Sequence, residues 1–422
     1  MNYFQPISPS PVAALQSLRN LPTRGSMTKE AYRALLAEQG VLPGSSDFFR
    51  VSGEFMPLEI ELGTDVVTGG KIVWRAADQL NSHMELVGAT GSGKTDTLRV
   101  IVGEVVCNGI PVLVLDLHGD IDVDHMSTAV ISSGFGSTVG INPLSIEGVN
   151  PDTHSLHNLR VELVATLRRA APSLSQKQAY ILTEALKTAY VAVGIEDRDP
   201  RTWHLQPPTF GHVKRVLDHW VSDPEMRGQR ESISGCSAVL SAIFGDEVFQ
   251  RHNVLTTTQL LSGNWRLALN HLPEPTQVIV VDTVLRAIFR RLRAMGTMPG
   301  GRAGQPRMFV VIDEAKVIAN GQGDRHKGSR ILNVIATEGR KFGLGMILAS
   351  QSREHFGEDV LRSSGTRLVL RTLDYREAQE NAKGMQEVSA ADLMGLRGNG
   401  DGYLLSGALA RPVRIQVKPV AR

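Results

Sequence analysis

Eight consecutive residues, Gly88-Ala89-Thr90-Gly91-Ser92-Gly93-Lys94-Thr95, constrain this chain more than any other stretch. They match G-x-x-x-x-G-K-[ST] at every required position. The apolar run from Met84 before them reads as a strand, and the stretch from Lys94 to about Cys107 reads as a helix. A glycine-rich turn in that setting lets successive N–H groups converge on phosphate oxygens, and the helix N-terminus adds a favourable dipole. Lys94 then puts a point charge on the β- and γ-phosphates, the Thr95 hydroxyl serves as a Mg2+ ligand, and Asp96 opens the helix beside them. The expected ligands are ATP and Mg2+. The alternative is a glycine-rich turn that ends in Lys-Thr by chance.

Strands and helices alternate around this loop. Residues 111–117 form a second apolar run, and the pattern returns at Trp265–Asn270, Met308–Ile312, Met346–Ala349 and Arg367–Arg371. That alternation predicts an α/β fold, a mostly parallel sheet flanked by helices. Between about 151 and 262 the strand signal fades. Leu156, Leu159, Leu163 and Leu167 recur at helical spacing, and Ser175 with Gln178 resembles a capping box that opens a helix to about Val193. Helices are also expected at 211–221, 237–250 and 276–295, the last with Val281, Leu285, Ile288, Leu292 and Met295 on one face. The division that follows is an N-terminal region (1–80) with a short helix at 28–39 and a few strand-like pieces, a first core part (81–150), a helical insertion (151–262) and a second core part with a tail (263–422).

Met308–Ile312 ends in Asp313-Glu314. A carboxylate that ends a parallel strand lies at the ligand-binding edge of the sheet. Asp313 is expected to hold Mg2+ and Glu314 to act as general base for water, although Asp before Glu-Ala-Lys also suits a helix cap. Gln351 follows another strand and is placed to touch the γ-phosphate or orient water; a solvated loop glutamine is the alternative. Asp116 and His118 end the second strand and face the same crevice, unless Asp116 satisfies the backbone of its own turn. Arg340 lies between the acidic strand and the Gln351 strand, where it serves as an arginine finger for a neighbouring subunit or as part of a solvated basic turn; Arg367 and Arg371 are second choices. Arg325, Lys327 and Arg330 lie in a glycine-rich loop suited to gripping a DNA backbone by charge, or to forming a mobile connection. Arg286, Arg290, Arg291 and Arg293 read as a solvated or subunit-facing surface.

Composition sets limits. No run of about 18 apolar residues marks a membrane span, and the first residues lack the pattern of a signal peptide. Cys107 and Cys236 lie far apart and suit a reducing cytoplasm. A net charge of +2 leaves any DNA contact to local clusters. His154 and His157 have no third ligand nearby, and no G-x-S-x-G elbow occurs.

The ordered set GATGSGKT, VLDLHGD, INPLS, VVIDEA, EGRKFGLGMILASQS and TRLVLR resembles the HerA branch of the HerA/FtsK ATPases across about residues 60–415. The resemblance implies a RecA-like motor and a homohexameric ring that holds ATP between subunits and moves double-stranded DNA. Lys94, Thr95, Asp313, Glu314 and Gln351 would act in cis and Arg340 in trans. Asp116 and His118 fall on the family's Asp-Pro-His-Gly segment, with Leu117 in place of the proline. HerA proteins carry an N-terminal β-barrel that docks a nuclease, whereas about 80 residues precede the loop here and few are strand-like. A nuclease or other effector partner, in DNA repair or anti-phage defence, is the expectation. The rivals are a conjugation or secretion pump and an ATP-gated scaffold that moves no DNA.

Overall fold

The computed structural model describes residues 58–123, 129–131, 139–152, 154–251, 253–298, 306–319 and 330–420. The expected helix at 28–39 lies outside them. The strands are β1 (Glu59–Asp65), β2 (Lys71–Arg75), β3 (His83–Val87), β4 (Val112–Asp116), β5 (Ala129–Ile131), β6 (Val139–Gly140), β7 (Asn253–Val254), β8 (Trp265–Ala268), β9 (Met308–Ile312), β10 (Leu344–Ser350), β11 (Thr366–Leu370), β12 (Asp401–Ser406) and β13 (Val413–Val417). Among the described residues eleven strands form one sheet, in the order β2-β1-β13-β12-β11-β3-β10-β9-β4-β8-β5. From β11 to β5 all neighbours are parallel, while the edge from β2 to β11 is antiparallel.

The helices are α1 (Lys94–Cys107), α2 (Leu156–Ala170), α3 (Gln176–Ala192), α4 (Phe210–Ser222), α5 (Arg230–Phe244), α6 (Thr257–Ser262), α7 (Glu274–Ala294), α8 (Lys316–Ala319), α9 (Arg330–Glu338), α10 (Glu358–Ser363), α11 (Tyr375–Ala382) and α12 (Ala390–Met394). No described helix is long and apolar enough to cross a membrane.

The central strands are apolar without alternation because both faces of the sheet are covered. Successive side chains therefore enter different cores. Val112 and Val114 pack with Leu98, Ile101 and Val105 of α1, whereas Leu113 and Leu115 join the core formed with α2, α3 and α7. Phe309 and Val311 of β9 belong to the first core, and Met308, Val310 and Ile312 to the second. Helix α3 begins where its capping box lies, with Ser175 Oγ accepting from Gln178 N at 3.2 Å and Ser175 N donating to Gln178 Oε1 at 2.9 Å.

Four expectations change. The strands at 59–75 are not a preface apart from the core, because β1 pairs with β13 and extends the main sheet. Trp74 locks this edge: it is buried, and its Nε1 donates to Thr366 Oγ1 on β11 at 2.8 Å. Trp74→Ala should lower unfolding stability by about 3–5 kcal/mol. Denaturant titration checks this, and an unchanged midpoint would mean the edge does not share the core's cooperativity. Secondly, the helix expected at 237–250 runs from Arg230 to Phe244, and a 3-10 turn at Glu247–Phe249 follows it. Thirdly, the arginines of α7 divide. Arg286 turns inward and pairs with Asp282 at 2.5 Å and with Glu162 at 3.0 Å, while Arg290 is half-buried and Arg291 and Arg293 stay exposed. Buried Asp282 also accepts from Thr166 Oγ1 at 2.8 Å and Arg169 Nη2 at 2.7 Å, so it fastens the helical insertion to the core. Met295, expected on the apolar face, is exposed beyond the end of α7.

Candidate active site

Four adjacent parallel strands bring chemistry to one edge of the sheet. Their C-terminal ends carry the loop after β3, Gln351 after β10, Asp313-Glu314 after β9 and Asp116 closing β4. Strand order, not sequence proximity, therefore gathers residues that lie more than 250 positions apart.

The loop is held from below. Gly88 N donates to Ser350 O at 3.2 Å and Ala89 N to Arg371 O at 2.8 Å. A side chain at Gly88 would collide with Ser92 Oγ at 2.6 Å and Leu370 Cβ at 2.8 Å. Gly93 sits at φ +97°, and a Cβ there would come within 2.5 Å of Gly400 N. The Lys94 ammonium donates to Gly88 O at 2.7 Å and Ala89 O at 3.1 Å, so it lies over the loop. Burial lowers its pKa, against the pull of Asp313, Glu314 and Glu377.

Asp313 and Glu314 are both buried. Desolvation raises the pKa of Asp313, opposed by the Glu314 N–H it accepts at 2.9 Å and by Lys94. Glu314 adopts φ +51°, a left-handed conformation that costs a non-glycine residue about 1–3 kcal/mol. Ala315 N donates to Ala349 O at 2.9 Å and fixes the turn. A crevice of about 600 Å3 joins Thr90, Lys94, Thr95, Asp313, Glu314 and Gln351. Gly91, Gly93, Asp96 and His118 line it too. An oxygen pair from the Thr95 hydroxyl and a buried carboxylate suits Mg2+, and the loop suits a polyphosphate.

The remaining expected residues sort by their contacts. Asp116 does not open on this crevice. It is fully buried, accepts from the backbone of Gly119 at 2.7 Å, Asp120 at 3.2 Å and Ile121 at 3.1 Å, and pairs with Arg266. It shapes the turn that presents His118. Asp96 is exposed and pairs with Arg99 at 2.8 Å. Arg367 is committed within its own chain: it contacts Glu85 at 3.5 Å and donates to Gly384 O at 2.8 Å and Leu361 O at 3.1 Å. Those contacts hold the Arg367 guanidinium within its own chain. Arg340 is exposed in the 3-10 turn Gly339–Phe342, before β10. Arg325 and Lys327 lie outside the described residues, and Arg330 is described only as the start of α9.

Sequence reading missed the turn Gly398-Asn399-Gly400. Gly400 N donates to Ser92 O at 2.9 Å, and Asn399, at φ +53°, lines the crevice. A second cavity of about 780 Å3 adjoins the first and shares Gly93, Asp96, Arg99 and Asn399 with it, with Gln416 and Lys418 on its far wall. The Gly-Asn-Gly tripeptide was the available signal, but only the fold shows what it rests on.

The sheet order and this crevice define a RecA-like P-loop ATPase. Residues 61–199 match the family model described as Helicase HerA, central domain. The chain is 24% identical to the DNA double-strand break repair helicase HerA of Pyrococcus furiosus, over 85% of this chain and 69% of that protein. It is 21% identical to the protein of the same name from Sulfolobus acidocaldarius, over 80% of this chain and 65% of the relative. It thus spans about two thirds of these relatives' lengths. VirB4 of Thermoanaerobacter pseudethanolicus shares the fold at a TM-score of 0.65 and 18% identity, over 85% of this chain and 96% of that one. The plasmid coupling protein TrwB in complex with ADP and Mg2+ does so at 0.58 and 14%, over 82% and 87%. The chain is thus similar to the HerA central domain over residues 61–199 and to HerA helicases over most of its length.

Proposed function

We propose that the protein is the motor subunit of a homohexameric ring that hydrolyses ATP between neighbouring copies and moves double-stranded DNA. The observation that carries this reading is the division of the site. Lys94, Thr95, Asp313, Glu314 and Gln351 meet at the C-terminal edge of the sheet. Arg340 stands at the opposite edge, where Gly339 lies against His83 at the start of β3. The seven residues of β10 separate the two ends by about 20 Å. At that distance Arg340 does not reach the crevice of its own chain, and in this reading it serves the site of a neighbouring copy.

In this reading the phosphates lie over the loop with Lys94, and the second cavity takes the nucleoside. Thr95 and Asp313 would hold Mg2+, which would neutralise phosphate charge. Glu314 accepts a proton from water as the water attacks the γ-phosphorus and the bond from that phosphorus to the β–γ bridging oxygen breaks, with ADP leaving; Arg340 of the neighbouring copy stabilises the charge that develops, and Gln351 senses the γ-phosphate. A nuclease or other effector docks on the ring, in repair or anti-phage defence, in a cytoplasmic setting. Duplex DNA should raise ATP turnover, and the stimulation should fall steeply with salt because phosphate contacts release counterions. Turnover unaffected by DNA at low salt would overturn the motor. Stimulation by a partner protein alone would favour the ATP-gated scaffold.

The likeness to TrwB, a bacterial conjugative coupling protein, supports a second reading, a conjugation or secretion pump. Co-fractionation with membranes tests it.

A further inference from the structure

Asn381, on α11, is wholly buried. A buried amide needs partners for both its ends. Its Nδ2 donates to Gln351 O at 3.2 Å and to Thr372 Oγ1 at 3.1 Å, and its Oδ1 accepts from Arg353 N at 3.0 Å. One side chain thus fixes the backbone on both sides of Ser352, in the turn that presents Gln351 to the crevice. The third anchor reaches the loop. Thr372 follows Arg371, whose carbonyl accepts from Ala89 N at 2.8 Å. A second tie runs parallel to the first. Buried Arg353 donates from Nε to Glu85 Oε2 at 2.9 Å, on the strand that ends in the phosphate loop, and from Nη1 to Lys383 O just past the end of α11.

We propose that Asn381 is the positioning residue for Gln351: it sets the Gln351 amide against the phosphate loop without touching nucleotide. The proposal rests on the reading of Gln351 as the residue that contacts the γ-phosphate. Asn381 is absent from the crevice lining, and its polar groups are used on the Gln351 turn and Thr372. Without it, Gln351 O and Arg353 N lose their shared partner and the turn relaxes. A displacement of about 1 Å at a positioned group can cost up to about 10²-fold in rate.

The test is a double-mutant cycle on the full chain, with Asn381→Ala, Gln351→Ala and the pair, read as kcat, KM for ATP and affinity for ADP. Asn381→Ala should lower kcat by about 10- to 100-fold with KM and ADP affinity within about twofold, and should add nothing in the Gln351→Ala background. Two results overturn the proposal: an unchanged kcat in Asn381→Ala while Gln351→Ala is impaired, or losses that multiply in the pair. Unchanged turnover in Gln351→Ala itself overturns the reading of Gln351, and the positioning role with it. If Asn381→Ala does not fold, Thr372→Val decides. Its kcat should fall by about 2- to 10-fold in the native background and not in Gln351→Ala, and an unchanged kcat overturns the proposal.

Discussion

Glu314→Gln is expected to lower ATP turnover by about 10²–10⁴-fold, the usual contribution of a general base. Binding should survive. Glu314 is not part of the phosphate loop, and glutamine has the same shape and faces the same left-handed backbone cost as glutamate. Removing the negative charge also relieves repulsion against the incoming phosphates. The variant should therefore retain ATP unhydrolysed, which a filter-binding assay with labelled nucleotide reads directly. The strained turn explains why the position is demanding. Asp313 Oδ1 accepts the Glu314 N–H and Ala315 N is held by Ala349 O, so the backbone on both sides of the Glu314 side chain is fixed by the fold. Turnover at the native rate would remove Glu314 from the chemistry.

Arg340→Ala is expected to lower turnover by about 10³-fold or more, as loss of an arginine finger does elsewhere. The side chain is exposed and stands one strand length from its own crevice, so its removal should leave folding and ATP affinity intact. Lysine at this position should rescue poorly, because a point charge lacks the planar fork of guanidinium. Steady-state turnover with binding measured in parallel separates this outcome from a folding defect. Unimpaired turnover would remove Arg340 from the site, and Arg367 could not replace it while its fork stays bound to Glu85, Gly384 and Leu361.

Much of the site is legible in the sequence because its chemistry is local. The phosphate loop needs a strand, a turn and a helix within about twenty-five residues, and α1 begins at Lys94 and ends at Cys107 as read. The capping box at Ser175 and the strand before Asp313 are equally short-range. What the sequence hides depends on distant partners. Asp116 looks like a crevice residue until Arg266, 150 positions away, is seen to claim it. The hairpin β1–β2 looks detached until β13 pairs with it from the other end of the described chain. Asn381 carries no motif at all, since its role is set by backbone groups at Gln351 and Arg353 that face it only once the sheet has formed.

Whether two copies share one site is measured directly by a mixing experiment. If the proposed roles hold, Glu314→Gln lacks the base in its own crevice, and Arg340→Ala lacks the charge lent to a neighbour. Each should be nearly inactive alone. In mixed assemblies, an Arg340→Ala crevice next to a Glu314→Gln subunit has both the base and the borrowed arginine, so turnover should rise well above that of either variant alone. A mixture no more active than the average of its parts, at concentrations where the subunits exchange, would contradict the shared site.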